Sequence, residues 1–201
     1  MMAKRDVKSN ENTAISLEEL LKAISPDKSA RKLPPVDSWQ PERSTDIDME
    51  IRANGSWWHE GGRINREKLV KLFSTILRKD EDGSFWLVTP YEKVVVHVED
   101  APFMAVRVDR AGEGETQSLA FVTNVGDVVV AGKDHPIRIE TDPDTLEPSP
   151  YLLVRGRLEA KLSRPAFYEL AGMAVETPSD GGRTLGVWSD GEFFPIGPAE
   201  G

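Results

Sequence analysis

Residues 63–72 read RINREKLVKL, and a similar stretch, KLSRPAFYEL, stands 98 residues later at 161–170. The two share a basic residue, an aliphatic residue, Asn or Ser, then Arg, with large apolar residues at the seventh and tenth positions. A second pair, GSFWLVTP at 83–90 and GEFFPIGP at 191–198, follows in the same order with an offset of 108 residues. Because the order is kept, the sequence predicts a duplicated helix-plus-strand unit. Two such units enclose a cleft, and ligands bind in clefts.

The residues around the first block show clear helix and strand patterns. Asn65 is a favoured N-cap residue, and we expect a helix from there through about Arg78. Alternation of apolar and polar residues predicts a half-buried strand over 46–52, and Asn54-Gly55 predicts a tight hairpin turn. The apolar stripe of the helix consists of Leu69, Leu72, Phe73, Ile76 and Leu77.

Most of the remaining sequence predicts strands separated by turns. Helices are too few for a scheme of parallel strands joined by helical crossovers. The sequence therefore predicts an α+β fold with antiparallel sheets, arranged as two repeated helix-plus-sheet units. The further strands are expected at 85–88, 94–98, within 103–140, as a pair over 151–162 and as a hairpin over 184–196, with the second helix at 163–174.

The N-terminal part has the composition of an arm. Residues 1–15 are polar and expected to be disordered, and Ser16 with Glu19 forms a capping box that predicts a short helix over 16–24. Four prolines within 25–45 predict an extended linker, which Trp39 would pin to the body. We divide the chain into the arm (1–45), a first repeat domain (46–93) and a second repeat domain (94–198).

Composition excludes several classes of protein. The 201 residues carry a net charge of −9, which argues against a nucleic-acid partner, since such proteins present a basic footprint. There is no cysteine, hence no disulfide framework. No apolar run resembles a signal peptide or reaches the length of a membrane span. We expect a cytoplasmic protein with no membrane partner.

Each predicted helix begins with a basic pair. The N-cap positions match, and the next residue is Arg in both copies, Arg66 and Arg164. Cations oppose the helix dipole there, and a local rule broken twice indicates a functional or partner-driven reason. One interpretation is an anion site of free helix amides and cations. The other is that each arginine pairs with a carboxylate of a neighbouring sheet. The second basic residue of each pair stands three positions earlier, at Arg63 and Lys161.

Trp57, Trp58 and His59 form an aromatic cluster on the predicted return strand. Alternation places the two tryptophans on opposite faces, so at most one faces the core, and the other could stack on a ligand ring. The alternative is that this second tryptophan only covers the arm. We include Trp58, His59 and Lys93 among the candidate ligand-binding residues, although a lone lysine on a sheet is usually solvated.

No catalytic or metal-binding motif is present. His59, His97 and His135 stand far apart, so we expect no metal site, and no cofactor motif occurs. An enzyme would need a perturbed acid or base in the cleft, for which Glu92 and Asp100 are the candidates. Whether the protein is an enzyme stays open, and a non-catalytic role is favoured.

Six stretches are distinctive when taken together: PVDSW (35–39), WWHEGG (57–62), LVKLF (69–73), LVTPYEK (87–93), EDAPF (99–103) and PYLLVRG (150–156). With them the chain resembles the bacterial family known as domain of unknown function 1285, over roughly residues 20–198. The resemblance implies a duplicated core with a C-terminal part superficially like a pleckstrin-homology barrel. It also implies a ligand site between the two parts for a nucleotide-like molecule, and a link to signalling.

Together these observations favour a regulatory module that binds a small anionic, nucleotide-like or phosphate-bearing molecule between the two repeat domains. In this hypothesis Arg66 contacts phosphate, His59 donates a hydrogen bond and Trp58 stacks on a ring. The alternative is a protein-interaction adaptor without a small-molecule ligand. Its exposed strand edges within 103–141 would bind a partner peptide by β-augmentation.

Overall fold

The computed structural model describes residues 33–179 and 182–198. The predicted helix at 16–24 lies outside the described residues. Within them the chain is a mixed, sheet-rich fold with only two α-helices, α1 (Glu67–Thr75) and α2 (Arg164–Ala171). None of the described helices is long and apolar enough to cross a membrane.

The first seven strands form one sheet, here called the N-terminal sheet. Its order is β4-β3-β2-β7-β6-β5, and β1 also pairs with β7. Both β1 and β2 run parallel to β7, whereas the other pairs are antiparallel. The strands are β1 (Arg43–Thr45), β2 (Met49–Ile51), β3 (Trp57–His59), β4 (Gly62–Arg63), β5 (Leu77–Lys79), β6 (Phe85–Val88) and β7 (Glu92–Val98).

The next six strands form the central sheet, in the order β10-β9-β8-β13-β12-β11. A third sheet has the order β14-β15-β16, and β15 and β16 pack against the central sheet. The strands are β8 (Phe103–Ala111), β9 (Ser118–Thr123), β10 (Val128–Val130), β11 (Ile137–Thr141), β12 (Pro148–Arg155), β13 (Leu158–Leu162), β14 (Val175–Ser179), β15 (Gly182–Ser189) and β16 (Glu192–Pro198).

The N-terminal and central sheets have the same strand pattern. Each of these sheets consists of two three-stranded meanders placed side by side. The first strand of the first meander pairs in parallel with the last strand of the second, β2 with β7 and β8 with β13. The helices do not share this pattern. Along the chain, α1 comes between the two meanders of its sheet, after β4 and before β5, whereas α2 comes after the last strand of its sheet, β13. These parallel pairs also correct the expectation of purely antiparallel sheets. Direction alternates within each meander, so this parallel pairing means that the chain crosses from the first meander to the second without reversing direction.

The first helix is shorter than predicted at both ends. Asn65 is not its N-cap; Arg66 takes that position in an extended conformation, and no side chain caps the helix. The helix stops at Thr75 instead of continuing to Arg78, because residues 77–79 pair with β6. Ile76 and Leu77 continue the apolar stripe of the sequence, but they are buried at the start of a strand. Apolar periodicity alone cannot distinguish these two ways of burying a side chain.

The strand predicted over 46–52 is also shorter and begins only at Met49. The reason is that Asp48 has a left-handed φ of 54°, which a strand cannot accommodate. In contrast, the hairpin turn at Asn54-Gly55 is confirmed. Gly55 N–H donates to Arg52 O, and Arg52 N–H donates to Ser56 O. The turn brings β3 back along β2 and places its tip against Met104 of β8 and Asn124 of the β9–β10 turn.

One continuous apolar core runs through all three sheets. Trp57 from β3 stacks on Phe73 from α1, with ring centroids 6.1 Å apart. Trp39 is half-buried and packs against this core, as predicted for the arm. The core therefore holds α1 between the N-terminal and central sheets, where the candidate site lies.

Candidate functional site

A polar groove of about 450 Å³ lies between the N-terminal and central sheets. We call it the intersheet groove. Its walls are the β2–β3 turn (54–56), the connection from β4 into α1 (63–65), the exposed side of α1 and the β9–β10 turn (123–126). The groove thus joins segments from both halves of the chain, as a ligand site between two units requires.

Two cations line the intersheet groove, Arg63 and Lys71. Lys71 Nζ lies above Gly126, since a Cβ added to that glycine would be 3.2 Å from it. Within the described part of the chain neither side chain forms an ion pair. Glu67 is the acidic residue of the lining. The lining therefore carries one net positive charge in a protein whose overall charge is −9.

The N-terminus of α1 opens beside these cations. The first amides of a helix have no partner within it, and Arg66 provides no side-chain cap. Asn65 and Glu67, on either side of Arg66, both line the groove. Uncapped amides and unpaired cations are the groups that bind oxyanions.

A further donor lies in the wall of the groove. Trp57 lines it while remaining only 1% exposed, and its Nε1 is buried without a hydrogen-bond partner. A buried N–H without an acceptor costs free energy, so such groups are rare and call for an explanation. It is one more hydrogen-bond donor in a donor-rich lining.

Asn124 holds the two walls of the groove together. Its Nδ2 donates to Gly55 O at 3.2 Å, and its Oδ1 accepts from Met104 N at 3.0 Å. The two turn tips, far apart in the chain, are thereby joined by one amide. The width of the groove depends on this contact.

The aromatic candidates lie outside the groove lining. Trp58 is half-buried, and its Nε1 donates to Ser56 Oγ at 2.8 Å. The guanidinium of Arg52 covers its ring at 3.6 Å from the centroid. His59 is half-buried, and its Nδ1 is buried without a hydrogen-bond partner. In this structure a cation already occupies one face of Trp58.

The two predicted arginines occupy different positions in their helices. Arg66 is the N-cap of α1, whereas Arg164 is the first residue of α2 after the N-cap Ser163. The Ser163 cap is confirmed, since its Oγ accepts from Ala166 N at 3.4 Å. Both arginines are exposed, and neither pairs with a carboxylate of the described residues. The ion-pair alternative for these arginines therefore has no support.

Lys93 lies in a different neighbourhood. Its Nζ stands 4.0 Å from the Trp86 ring centroid and 3.8 Å from Asp80 Oδ2. These contacts belong to the side of the N-terminal sheet that faces the arm. The structure does not bring Lys93 together with Trp58, Arg66 or Arg164.

Asp100, one of the two acid candidates, is held by the central sheet. It accepts from Tyr151 Oη at 2.8 Å and from Lys161 Nζ at 2.7 Å. The hydrogen bond to Asp100 raises the pKa of Lys161. Burial, and then the hydrogen bond to Asp100, raise the pKa of Tyr151. The arrangement links two sheets. Lys161, the basic residue that precedes Arg164 by three positions, is thus engaged with Asp100.

No cluster of three metal-binding side chains occurs among the described residues. Of the groove lining, sequence patterns pointed to Trp57, Arg63, Asn65 and the Asn54-Gly55 turn. Lys71 and Asn124 were missed. Nothing in a single sequence indicates that residues more than fifty positions apart face each other across a groove.

Family models match most of the chain. Residues 34–101 match the N-terminal domain of DUF1285 and residues 102–196 its C-terminal domain, both described as of unknown function. The two matches meet between β7 and β8. No match was found among curated proteins. The division of the chain at residues 45 and 93 stays a prediction.

Two solved structures are similar to the chain. A DUF1285 family protein from Silicibacter pomeroyi DSS-3 is 44% identical, with a TM-score of 0.78, and the alignment covers 90% of this chain and 95% of that one. A DUF1285 family protein from Shewanella baltica OS155 is 31% identical, with a TM-score of 0.50, over 63% of this chain and 92% of that one. The resemblance seen in the sequence is confirmed, and the chain belongs to the DUF1285 family.

Proposed function

We propose that the protein is a non-catalytic regulatory module that binds a small anionic, nucleotide-like molecule in the intersheet groove. The observation that carries this proposal is the pair of cations Arg63 and Lys71, which line the groove without a carboxylate partner among the described residues. With 34 acidic and 25 basic residues in the chain, two unpaired cations facing one groove favour an anionic ligand.

In this proposal the ligand's phosphate or carboxylate accepts hydrogen bonds from Arg63, Lys71 and the first amides of α1. The residues named from the sequence (Trp58, His59, Arg66, Lys93 and Arg164) stay predictions. Arg66 is the nearest of them to the groove along the chain, since Asn65 and Glu67 on either side line it. Glu67 would disfavour ligands with a second anionic group near α1.

Thermal unfolding against a panel of nucleotides, cyclic dinucleotides, sugar phosphates and inorganic phosphate tests the proposal. A ligand at about 100 times its Kd adds roughly 2.7 kcal/mol to the free energy of unfolding, which raises Tm by a few degrees. We expect one ligand class to produce this shift, and Arg63→Ala and Lys71→Ala to abolish it.

Arg107→Ala is the matched control, because Arg107 is an exposed cation paired with Asp109 outside the groove. This variant should retain the full shift. Arg66→Ala distinguishes two positions for the bound anion. If this variant loses the Tm shift while Arg63→Ala and Lys71→Ala keep it, the anion binds at the exposed N-cap of α1 instead of in the groove. Absence of any shift across the panel would overturn the proposal.

The second candidate function is a protein-interaction adaptor, and one observation favours it. Strand β10 is at an edge of the central sheet, and its Val128 and Val130 are 68% and 43% exposed. Exposed apolar edges add partner strands. Under this alternative Val128→Lys should abolish capture of a partner protein while Lys71→Ala retains it.

We also propose that the chain contains two copies of one structural unit, the second resembling a pleckstrin-homology barrel. The shared strand pattern of the N-terminal and central sheets supports two copies. It relates residues 49–98 to 103–162, however, whereas the second copies of the sequence blocks lie in α2 and β16, outside that unit. In an experimental structure, residues 49–98 and 103–162 should superpose strand on strand. A superposition that aligns fewer than four strands would contradict it.

We further propose that the module acts in the cytoplasm, in signalling. A chain without cysteine needs no oxidising compartment for disulfide formation, which is compatible with this location. Cell fractionation with an antibody to the protein tests the location, and recovery in a membrane or secreted fraction would contradict it.

A further inference from the structure

A second cavity lies at the C-terminal end of α1, against the arm. It measures about 300 Å³ and is formed by residues 33–37 of the arm, the end of α1 with β5, and the β12–β13 turn at 155–158. We call it the arm pocket. It shares no lining residue with the intersheet groove, so the two cavities can be tested separately.

Part of the arm pocket is apolar. Leu77 and Leu158 are buried beneath it, and Val36 from the arm is half-buried. Leu33 lines the cavity and is 47% exposed. The whole cavity is near the lower end of small-molecule sites, which run from roughly 300 to 1,000 Å³. It can hold a short acyl chain or a single ring.

The rest of the lining is strongly basic. Four cations line the cavity against one carboxylate, that of Asp37. Two of the four are engaged in the fold. Arg78 donates to two arm carbonyls and to Asp80, and Arg155 donates to Asp127 and to Ser74 O at 2.6 Å. They contribute charge but have few hydrogen bonds to offer.

The other two cations are available to a ligand. Lys79 forms no ion pair within the described ranges, and its Nζ lies 5.2 Å from the Phe85 ring centroid. Arg157 pairs with Glu81 at 2.6 Å, but the two side chains are 55% and 86% exposed. An exposed pair of this kind contributes little, so a ligand anion can replace Glu81.

We propose that the arm pocket binds an amphipathic anion, a small molecule with a phosphate or carboxylate at one end and an apolar chain or ring at the other. Lys79 and Arg157 bind the anionic end, and the apolar end lies on Leu33, Leu77 and Leu158. Because its Leu33–Asp37 wall belongs to the arm, an occupied pocket also ties the arm to the central sheet.

Hexyl phosphate is the probe, compared with inorganic phosphate, which has only the anion, and hexanol, which has only the chain. We expect the full chain to bind hexyl phosphate at least about tenfold more tightly than either, because both ends contribute. Methyl resonances of Leu77 and Leu158 should shift on titration. Lys79→Ala and Arg157→Ala should each weaken binding about tenfold.

Leu33→Ser tests the apolar end without disturbing the buried core. It should weaken binding of hexyl phosphate and leave that of inorganic phosphate unchanged. Arg107→Ala is again the control and should bind like the unmodified protein. Equal affinity for phosphate and hexyl phosphate, or full binding in both cation variants, would overturn the inference.

The groove variants distinguish the two sites. Arg63→Ala and Lys71→Ala should leave hexyl phosphate binding unchanged, whatever they do to the nucleotide panel. If they abolish it, the probe binds in the intersheet groove and the arm pocket is not its site. The two proposals can also fail separately. If no compound of the nucleotide panel shifts Tm but hexyl phosphate binds and depends on Lys79 and Arg157, the proposed function is wrong and this inference stands.

Discussion

At Gly55 the backbone has a φ of +76°, a left-handed conformation that favours glycine. A Cβ there would lie 2.7 Å from Asn124 Nδ2, which donates to the carbonyl of the same glycine. Gly61 has almost the same φ, +70°, but a Cβ there would meet nothing within 4 Å. Position 61 therefore favours glycine for its backbone conformation alone. Position 55 favours it also because the two sheets approach closely there.

Gly55→Ala should destabilise the protein more than Gly61→Ala. Both variants incur about 1 kcal/mol for a left-handed alanine. Gly55→Ala must also displace the Asn124 amide, which costs about 1 kcal/mol more for the lost hydrogen bond. Urea unfolding of the two variants checks this difference. Equal losses would show that Asn124 moves aside freely and that the bridge across the groove is weak.

Strand β5 holds the arm through the single side chain of Arg78. The guanidinium is buried, at 8% exposure of the residue, and donates to Val36 O at 2.9 Å and Trp39 O at 2.8 Å. Its Nε donates to Asp80 Oδ1 at 2.6 Å. The 3-10 turn at Val36–Ser38 is thus attached to a strand by charged hydrogen bonds, in addition to the packing of Trp39.

Arg78→Met keeps the apolar stem but removes these donors. We expect a loss of about 3 kcal/mol in the free energy of unfolding, as for a broken buried ion pair, and faster amide exchange over residues 36–39. Hydrogen exchange with urea unfolding measures both. Arg107→Met, at an exposed ion pair, should change neither. Loss of stability without faster exchange would mean that Asp80 alone is the partner that matters.

Across the whole molecule, the N-terminal and central sheets are linked where the chain passes from one to the other. Asp100, just after β7, accepts from Tyr151 on β12 and Lys161 on β13. The pKa values of both Lys161 and Tyr151 are raised in the folded protein. A raised pKa means that the protonated form is favoured by folding. For Lys161 the main cause is the hydrogen bond to Asp100, so this link stabilises the protein fully below the unfolded lysine pKa of 10.5 and is lost as pH rises through the raised folded value.

Lys161→Met should lower the free energy of unfolding by about 1 kcal/mol at pH 8, because the pair is partly exposed. The difference from the unmodified protein should shrink as the pH rises above the unfolded lysine pKa of 10.5, because the unfolded chain then loses the proton that the folded protein keeps. Denaturant unfolding from pH 8 to 11.5 gives this difference directly. Lys133→Met, at an exposed lysine without an ion pair in the described chain, should show no such pH dependence. A difference that is constant with pH would refute the electrostatic account.

Local patterns predicted much of the fold because they act over a few residues. Asn54-Gly55 forms its turn, and Ser163 caps its helix, as expected. The end of α1 was mispredicted, since residues 77–79 become a strand only when β6 is beside them. Asn65 was mispredicted as a cap for a similar reason: the Ile64 N–H bonds to Trp57 O and fixes how the chain enters the helix.

By itself the sequence determined a sheet-rich chain with few helices, the turns that divide its strands, and membership of one family. These properties depend on residues that are neighbours in the chain and on the period at which apolar residues recur. Only the tertiary structure decided that β2 runs parallel to β7 and β8 parallel to β13, and that Lys71 faces Gly126 across a groove. Such contacts join residues tens of positions apart. They form because burying one shared core outweighs local preference, and no single segment carries that information.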